Sequence, residues 1–210
     1  MAISPVSSEQ WGMITAGQAR RLGVSRQDLK RLLDDGTLAV ADGATRVYRL
    51  TGAPEDPELD PLRAAWLQLG AAKSWHERTA ANPDAVISHR SAAHLRGLGD
   101  LIPYEHEFYT TTRLRPRRTD IKVRVRSRMP PGSWEIWGGL PIRTVPAIID
   151  DLLADGEDES AVAQVVQDAL GLGLLRRLAL GAIVSPHAAA YGRAEPETFA
   201  RALAGEVADR

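Results

Sequence analysis

Apolar residues recur at helical spacing in two short stretches near the N-terminus, and each stretch carries its own start signal. In the first stretch, Ala16, Ala19 and Leu22 fall on one face of a helix. Thr15 precedes this face and Gln18 follows three residues later, which is the capping-box pattern. The spacing therefore predicts a short helix that begins after Thr15.

A second short helix follows after a tight turn. Gly23 can adopt a positive φ and end the first helix, and Ser25 with Asp28 forms a second capping-box pattern. The apolar stripe of this helix consists of Val24, Leu29, Leu32 and Leu33. Its outward-facing polar residues are Gln27, Lys30 and Arg31, and Arg26 lies at the flank of the first turn. Two helices joined by a glycine-containing turn, with Arg, Gln and Lys exposed on the second, are typical of a helix-turn-helix.

Two strand-like segments come directly after this pair of helices. Residues 38–41 and 45–50 read as strands, with the turn residues Asp42 and Gly43 between them. A helix-turn-helix followed by such a hairpin is a winged helix, and Arg46 and Arg49 would lie on its wing within reach of a phosphate backbone. The alternative is a small helical interaction module with solvated charges. DNA binding is favoured because Arg and Gln are side chains that read base edges.

The pattern changes after residue 53. Residues 54–61 are rich in proline and acidic residues without apolar periodicity, which is typical of a linker. The expected organisation is a winged-helix domain over 1–53, the linker over 54–61, and a second domain over 62–210. In the second domain, short strand patterns at 85–87, 107–112, 121–128, 134–137 and 140–145 are mixed with helical patterns. The predicted class is α+β, with a small mixed sheet in the C-terminal domain.

One strand of the second domain alternates between apolar and cationic residues. Ile121, Val123 and Val125 point to one face. The opposite face carries Lys122, Arg124, Arg126 and Arg128, and the preceding loop carries Arg113, Arg115, Arg117 and Arg118. A solvated face would be expected to mix charge signs, so an unrelieved row of cations favours an anionic partner. The partner would be DNA phosphate or an acidic patch on another protein.

Composition narrows the classes of function. The net charge is only −1, because acidic residues elsewhere offset the two basic zones. The chain has no cysteine, which excludes disulfides, thiolate metal sites and cysteine nucleophiles. No apolar run is long enough to span a bilayer, and the N-terminus lacks the basic start and apolar core of a secretion signal. A cytoplasmic protein is expected.

The sequence contains only weak candidates for catalytic motifs. There is no phosphate-binding glycine loop and no G-x-S-x-G motif. Asp120 and Lys122, with Asp100 upstream, faintly resemble a metal-dependent nuclease site, although the row of cations also explains Lys122. His89 and His94 are not spaced as two ligands on one helix face, and no carboxylate completes a ligand set. The expectation is no enzyme activity, no cofactor and no metal.

The sequence also resembles a known family. The stretch ITAGQARRLGVSRQDLKRLLDDGTLAVADGATRVYRL is similar to the N-terminal winged helix of AbiEi-type antitoxins. The segments AVISHRSAAHLRGLGDLIP and LPIRTVPAIIDDLLADG resemble the second domain of that family, in the same order. One departure is Ala44-Thr45, where the wing commonly carries Arg-Gly. The resemblance implies an antitoxin of a type IV toxin–antitoxin system that also limits phage infection.

The resemblance also implies which molecules the protein acts on. Such antitoxins repress their own operon by binding inverted repeats in promoter DNA, and they counteract a nucleotidyltransferase toxin without a stable direct complex. The chain would bind DNA as a monomer or a dimer. The residues expected to contact DNA are Arg20, Ser25, Arg26, Gln27, Lys30, Arg31, Arg46, Arg49, Arg113, Arg115, Lys122, Arg124, Arg126 and Arg128. The alternative is a direct toxin-binding neutraliser that uses the basic face of the C-terminal domain.

Overall fold

The computed structural model describes residues 3–80, 82–116 and 118–206, and it has the predicted α+β class. The described chain divides into two compact units. The first comprises residues 1–85 with 111–116, and the second comprises residues 86–110 with 117–210. Each unit contains its own small sheet.

The first unit begins with helices and a short sheet. Its elements are α1 Ser4–Ser8, β1 Met13–Thr15, α2 Ala16–Arg21, α3 Arg26–Asp34, β2 Leu38–Val40, β3 Val47–Leu50, α4 Asp60–Leu69 and α5 Trp75–Thr79. Both predicted capping boxes are present. The Thr15 hydroxyl accepts from Gln18 N at the start of α2, and the Ser25 hydroxyl accepts from Asp28 N at the start of α3. Gly23 lies between the helices with φ 81°, as the turn requires.

A three-stranded antiparallel sheet closes this part of the chain. Its strand order is β1-β3-β2, so the predicted hairpin is joined by β1, which the apolar pattern did not predict. The core between sheet and helices is built on Ile3, Ile14, Ala19, Leu29 and Leu38. Because Leu29 lies in this core, the opposite side of α3 faces outward.

The predicted linker is packed within the first unit. Arg49 on β3 donates to the Pro54 carbonyl and pairs with Asp60 at the start of α4. The Gln18 side chain donates to the Lys73 carbonyl at 2.7 Å, and Arg21 pairs with Glu77 on α5. The division between compact units therefore falls at residue 85 rather than within 54–61.

The second unit is a mixed sheet with helices. Its elements are β4 Ala85–Ile87, α6 His89–Leu95, β5 His106–Thr110, β6 Ile121–Val125, β7 Trp134–Trp137, β8 Leu140–Arg143, α7 Val145–Ala154, α8 Glu159–Gly171, α9 Arg177–Val184, a 3₁₀ turn Ala188–Tyr191 and α10 Pro196–Leu203. The strand order is β6-β5-β4-β8-β7. β4 and β8 are parallel, as are β5 and β6, whereas β7 and β8 are antiparallel. The expected mixed sheet is therefore present.

Candidate functional site

The exposed side of α3 presents two polar side chains at its first turn. Arg26 and Gln27 are exposed, and neither side chain has an ion-pair or hydrogen-bond partner within the described residues. Ser25, which the sequence also placed at the interface, uses its hydroxyl to bond the Asp28 amide and carboxylate. The capping box therefore fixes the helix start, while the two side chains next to it stay open to a ligand.

The other two cations of α3 are held by acidic residues of the same helix. Lys30 Nζ lies 2.6 Å from Asp34 Oδ2, and Arg31 Nη2 lies 3.7 Å from Asp28 Oδ1. The Ser25 hydroxyl, with the Ser25 amide, lowers the pKa of Asp28, so this carboxylate is ionised at neutral pH. All of these side chains are solvent-exposed, and such pairs are weak and break readily for a stronger anion.

The arginines around α3 divide into exposed and buried groups. Arg20 at the end of α2 and Arg46 before β3 are exposed. Arg49 is only 7% exposed, and its guanidinium is bonded to the Trp11 and Pro54 carbonyls and to Asp60. The expectation that Arg49 reaches a phosphate from the hairpin is therefore wrong, because this side chain is committed to the interior of the first unit.

The cations in the row on β6 have acidic partners. Arg124 pairs with Glu107 on β5 and with Asp155 after α7, and Lys122 lies 3.5 Å from Glu107. Arg126 donates to Tyr109 Oη at 3.0 Å and lies 3.3 Å from Asp151. These acidic partners come from other elements, so the argument from self-repelling cations does not hold for this strand.

The remaining predicted cations are separated from that row. β6 ends at Val125, so Arg128 lies beyond the strand and is exposed. Arg113 and Arg115 are also exposed, and their segment 111–116 belongs to the first compact unit rather than the second. Arg118 pairs with Asp120, the carboxylate of the weak nuclease pattern. Within the described ranges, no group of three or more His, Asp or Glu side chains could hold a metal ion.

A polar cavity of about 380 Å³ lies beside the paired row in the second unit. It is lined by His89, Arg90, Tyr104, Glu105, Glu107, Lys122, Leu152, Asp155, Gly156 and Glu157. Its cations and carboxylates bind one another, since Arg90 holds Glu157 through two hydrogen bonds and Glu107 accepts from the Arg90 amide. The sequence reading missed this cavity, because its residues are far apart along the chain.

Comparison with known proteins adds evidence on the fold. No family model matches the chain, and no curated protein matches it. Among solved structures, the chain is similar to the crystal structure of the RV2827C protein from Mycobacterium tuberculosis, with a TM-score of 0.52 and 15% identity. The match covers 99% of this chain and 81% of that chain. At this identity the likeness concerns the fold alone. In the part of the chain that the structure describes, no helix is long and apolar enough to cross a membrane.

Proposed function

We propose that this protein is a sequence-specific DNA-binding repressor and that its first unit is a winged helix with α3 as the recognition helix. The observation that carries the proposal is the open pair Arg26 and Gln27 on the first turn of α3, next to a fully formed capping box. Side chains at the N-terminal end of a recognition helix contact base edges in the major groove. Arg bonds guanine and Gln bonds adenine in a bidentate manner, so this pair suits a specific duplex.

Exposed cations of the same unit supply backbone contacts in this proposal. Arg20, Arg46, Arg113 and Arg115 are all exposed residues of the first unit. Lys30 and Arg31 join them when they exchange their weak intrahelical pairs for phosphates. Arg49 is left out because it is buried, and Lys122, Arg124 and Arg126 because they are paired. The same pairing weakens the alternative in which a basic face of the second domain grips a toxin.

The biological role that we propose is that of an AbiEi-like antitoxin. It rests on the sequence resemblance, which extends over both domains in order. In this role the protein binds inverted repeats in its own promoter and counteracts a nucleotidyltransferase toxin encoded beside it. Co-expression with that neighbouring toxin tests the role directly: growth that is arrested by the toxin alone should recover. Continued arrest at equal protein levels would remove the antitoxin assignment while leaving DNA binding open.

Binding to promoter DNA tests the DNA-binding proposal. The purified protein is titrated with its own upstream duplex and with a scrambled duplex across a salt series. We expect a preference for the promoter and affinity that falls steeply with salt. Arg26→Ala combined with Gln27→Ala should reduce discrimination at least about tenfold, since a good bidentate base contact is worth about 1–3 kcal/mol.

The matched control is Arg201→Ala, which removes one exposed cation from α10 in the second unit. This variant should bind both duplexes like the wild type. Equal affinity of the wild type for promoter and scrambled DNA would overturn sequence-specific recognition. If the double variant keeps full discrimination, the residues that read the bases lie outside the first turn of α3.

A further inference from the structure

Arg46 has a backbone conformation that side chains rarely adopt. Its φ is 62°, in the left-handed region where glycine is favoured because a Cβ atom crowds the backbone. It lies at the end of the turn between β2 and β3, one residue before β3 begins. A non-glycine residue is held in such a conformation only when its surroundings determine it.

Hydrogen bonds to the backbone of Arg46 and of Thr45 hold this conformation. The Arg46 carbonyl accepts a hydrogen bond of 2.9 Å from the amide of Ala16, the first residue of α2. The Gln68 side chain on α4 donates to the Thr45 carbonyl at 2.6 Å. Both contacts use backbone atoms of the turn, so a glycine at position 46 would keep them without strain.

Among the described residues, two other non-glycine residues have a positive φ, and their side chains account for it. The Trp11 ring lies edge-on to Trp66 at 6.3 Å, with the Arg63 guanidinium 5.1 Å from its centroid. The His89 ring is buried and is hydrogen-bonded to Ser88. In both cases the strained residue contributes packing to the fold.

Arg46 contributes nothing comparable to the fold. Its side chain is exposed, and within the described parts of the chain its guanidinium has neither an acidic partner nor a hydrogen bond. The backbone contacts of the turn do not need the side chain, and the core does not contain it. No contact of the Arg46 side chain in the described residues therefore accounts for the strain.

We infer that the strained backbone of Arg46 places this side chain where its guanidinium reaches a DNA phosphate beside the α3 contact. This inference rests on the proposed function and deepens it, because it assigns a separate anchoring role to one residue. The turn is tied to the first residue of α2 and to α4, so the guanidinium starts from a backbone fixed relative to both helices. A contact that starts from a fixed backbone loses less conformational freedom on binding.

We expect one substitution to weaken DNA binding without lowering stability. Arg46→Gly should leave the melting temperature unchanged or raise it by about 2 °C, because the left-handed strain is relieved while the backbone bonds remain. The same variant should bind promoter and scrambled duplexes about five- to tenfold more weakly. Its slope of log affinity against log salt should be smaller by about 0.9, as expected for one lost phosphate contact.

Two further variants complete the test. Arg46→Lys keeps the charge and should stay within about threefold of wild-type affinity, since Lys also binds phosphate as a point charge. Arg176→Gly makes the same chemical change at the exposed N-cap of α9 in the second unit, where glycine is tolerated. It should leave DNA binding unchanged and so controls for net charge.

The outcomes separate this inference from the proposed function. If Arg46→Gly binds both duplexes like the wild type, the anchoring role is wrong although the repressor proposal stands. If Arg46→Gly melts several degrees lower, the side chain supports the fold and the inference is also wrong. If the wild type shows no preference for the promoter and no salt dependence, the proposed function itself fails.

Discussion

His89 combines a strained backbone with a buried, neutral ring. Its φ is 50° and its side chain is 2% exposed, with Nδ1 at 2.9 Å from the Ser88 hydroxyl. Burial, together with the nearby Arg124 guanidinium, lowers the pKa of His89 to about 3, although Asp155 acts in the opposite direction. This residue therefore stays uncharged in the folded protein at any pH near neutrality.

Folding stability should depend on pH through His89. The unfolded chain binds a proton at this residue below a pH of about 6.5, while the folded chain does not until a pH of about 3. The stabilisation that comes from keeping His89 neutral is fully present above a pH of about 6.5. It is lost as the pH falls from about 6.5 to about 3. We expect the free energy of unfolding to decrease by about 2 kcal/mol from this group between pH 7 and pH 5. Urea unfolding at both pH values measures the decrease.

The control for this effect is His89→Asn, since asparagine tolerates a left-handed backbone. The variant should be less stable at pH 7 but should lose less stability between pH 7 and pH 5 than the wild type. An equal loss in both proteins would show that other groups carry the pH dependence.

Single residues also mark where sequence reasoning succeeds and fails. The capping pairs at Thr15 and Ser25 were predictable because each partner lies three residues away. Arg49 and Arg124 were misjudged because their acidic partners, Asp60 and Asp155, lie 11 and 31 residues away. Strand alternation shows which way a side chain points, but it contains no information about a carboxylate delivered by another element.

The α3 helix carries two acidic residues, Asp28 and Asp34, among its three basic ones. Asp34 holds Lys30, and Asp28 lies near Arg31. In the proposed function these two carboxylates weaken the electrostatic attraction of the helix to any phosphate backbone. Binding then depends more on base contacts. A recognition helix that attracted all duplexes equally would be occupied by non-specific sites.

Asp34→Asn should therefore strengthen DNA binding while weakening discrimination. With Lys30 released and one negative charge removed, we expect affinity for scrambled DNA to rise about threefold or more at low salt, and affinity for the promoter to rise less. Glu197→Gln on α10 removes an exposed carboxylate from the second unit and should change neither affinity. Unchanged binding by the Asp34 variant would mean that Lys30 does not face the duplex.

Elements differ in how far the apolar pattern reveals them. Strands β7 and β8 were predicted to within two residues, because a glycine pair separates two short apolar runs. β1 was missed because Met13, Ile14 and Thr15 are all buried, so the strand shows no alternation between apolar and polar residues. The predicted strand at 121–128 ends at Val125, which leaves Arg128 outside it.

At the scale of the whole molecule, the first unit needs the segment after residue 58. Thr15 Oγ1 donates to the Ala71 carbonyl, Gln18 donates to the Lys73 carbonyl, and Arg49 pairs with Asp60. All three partners lie beyond the end of the predicted winged-helix domain. The linker interpretation of 54–61 took the prolines and acidic residues as solvated, whereas Asp60 forms a buried ion pair.

Two fragments of the chain test this organisation. A fragment of residues 1–85 should melt cooperatively by circular dichroism, because it retains these contacts. A fragment of residues 1–58 should melt without a clear transition, since the Arg49 guanidinium is then left without its buried carboxylate. Equally cooperative melting of both fragments would place the domain boundary back in residues 54–61.

The chain passes from one unit to the other three times, because segment 111–116 returns to the first unit before the chain re-enters the second. Because the first unit is made of two separate stretches, this order limits how such a gene can recombine. A single crossover within the codons for residues 86–110 would join one parent's α3 to another parent's segment 111–116. The exposed Arg113 and Arg115 would then come from a different parent than the rest of the first unit. Viable hybrids should therefore exchange both pieces together.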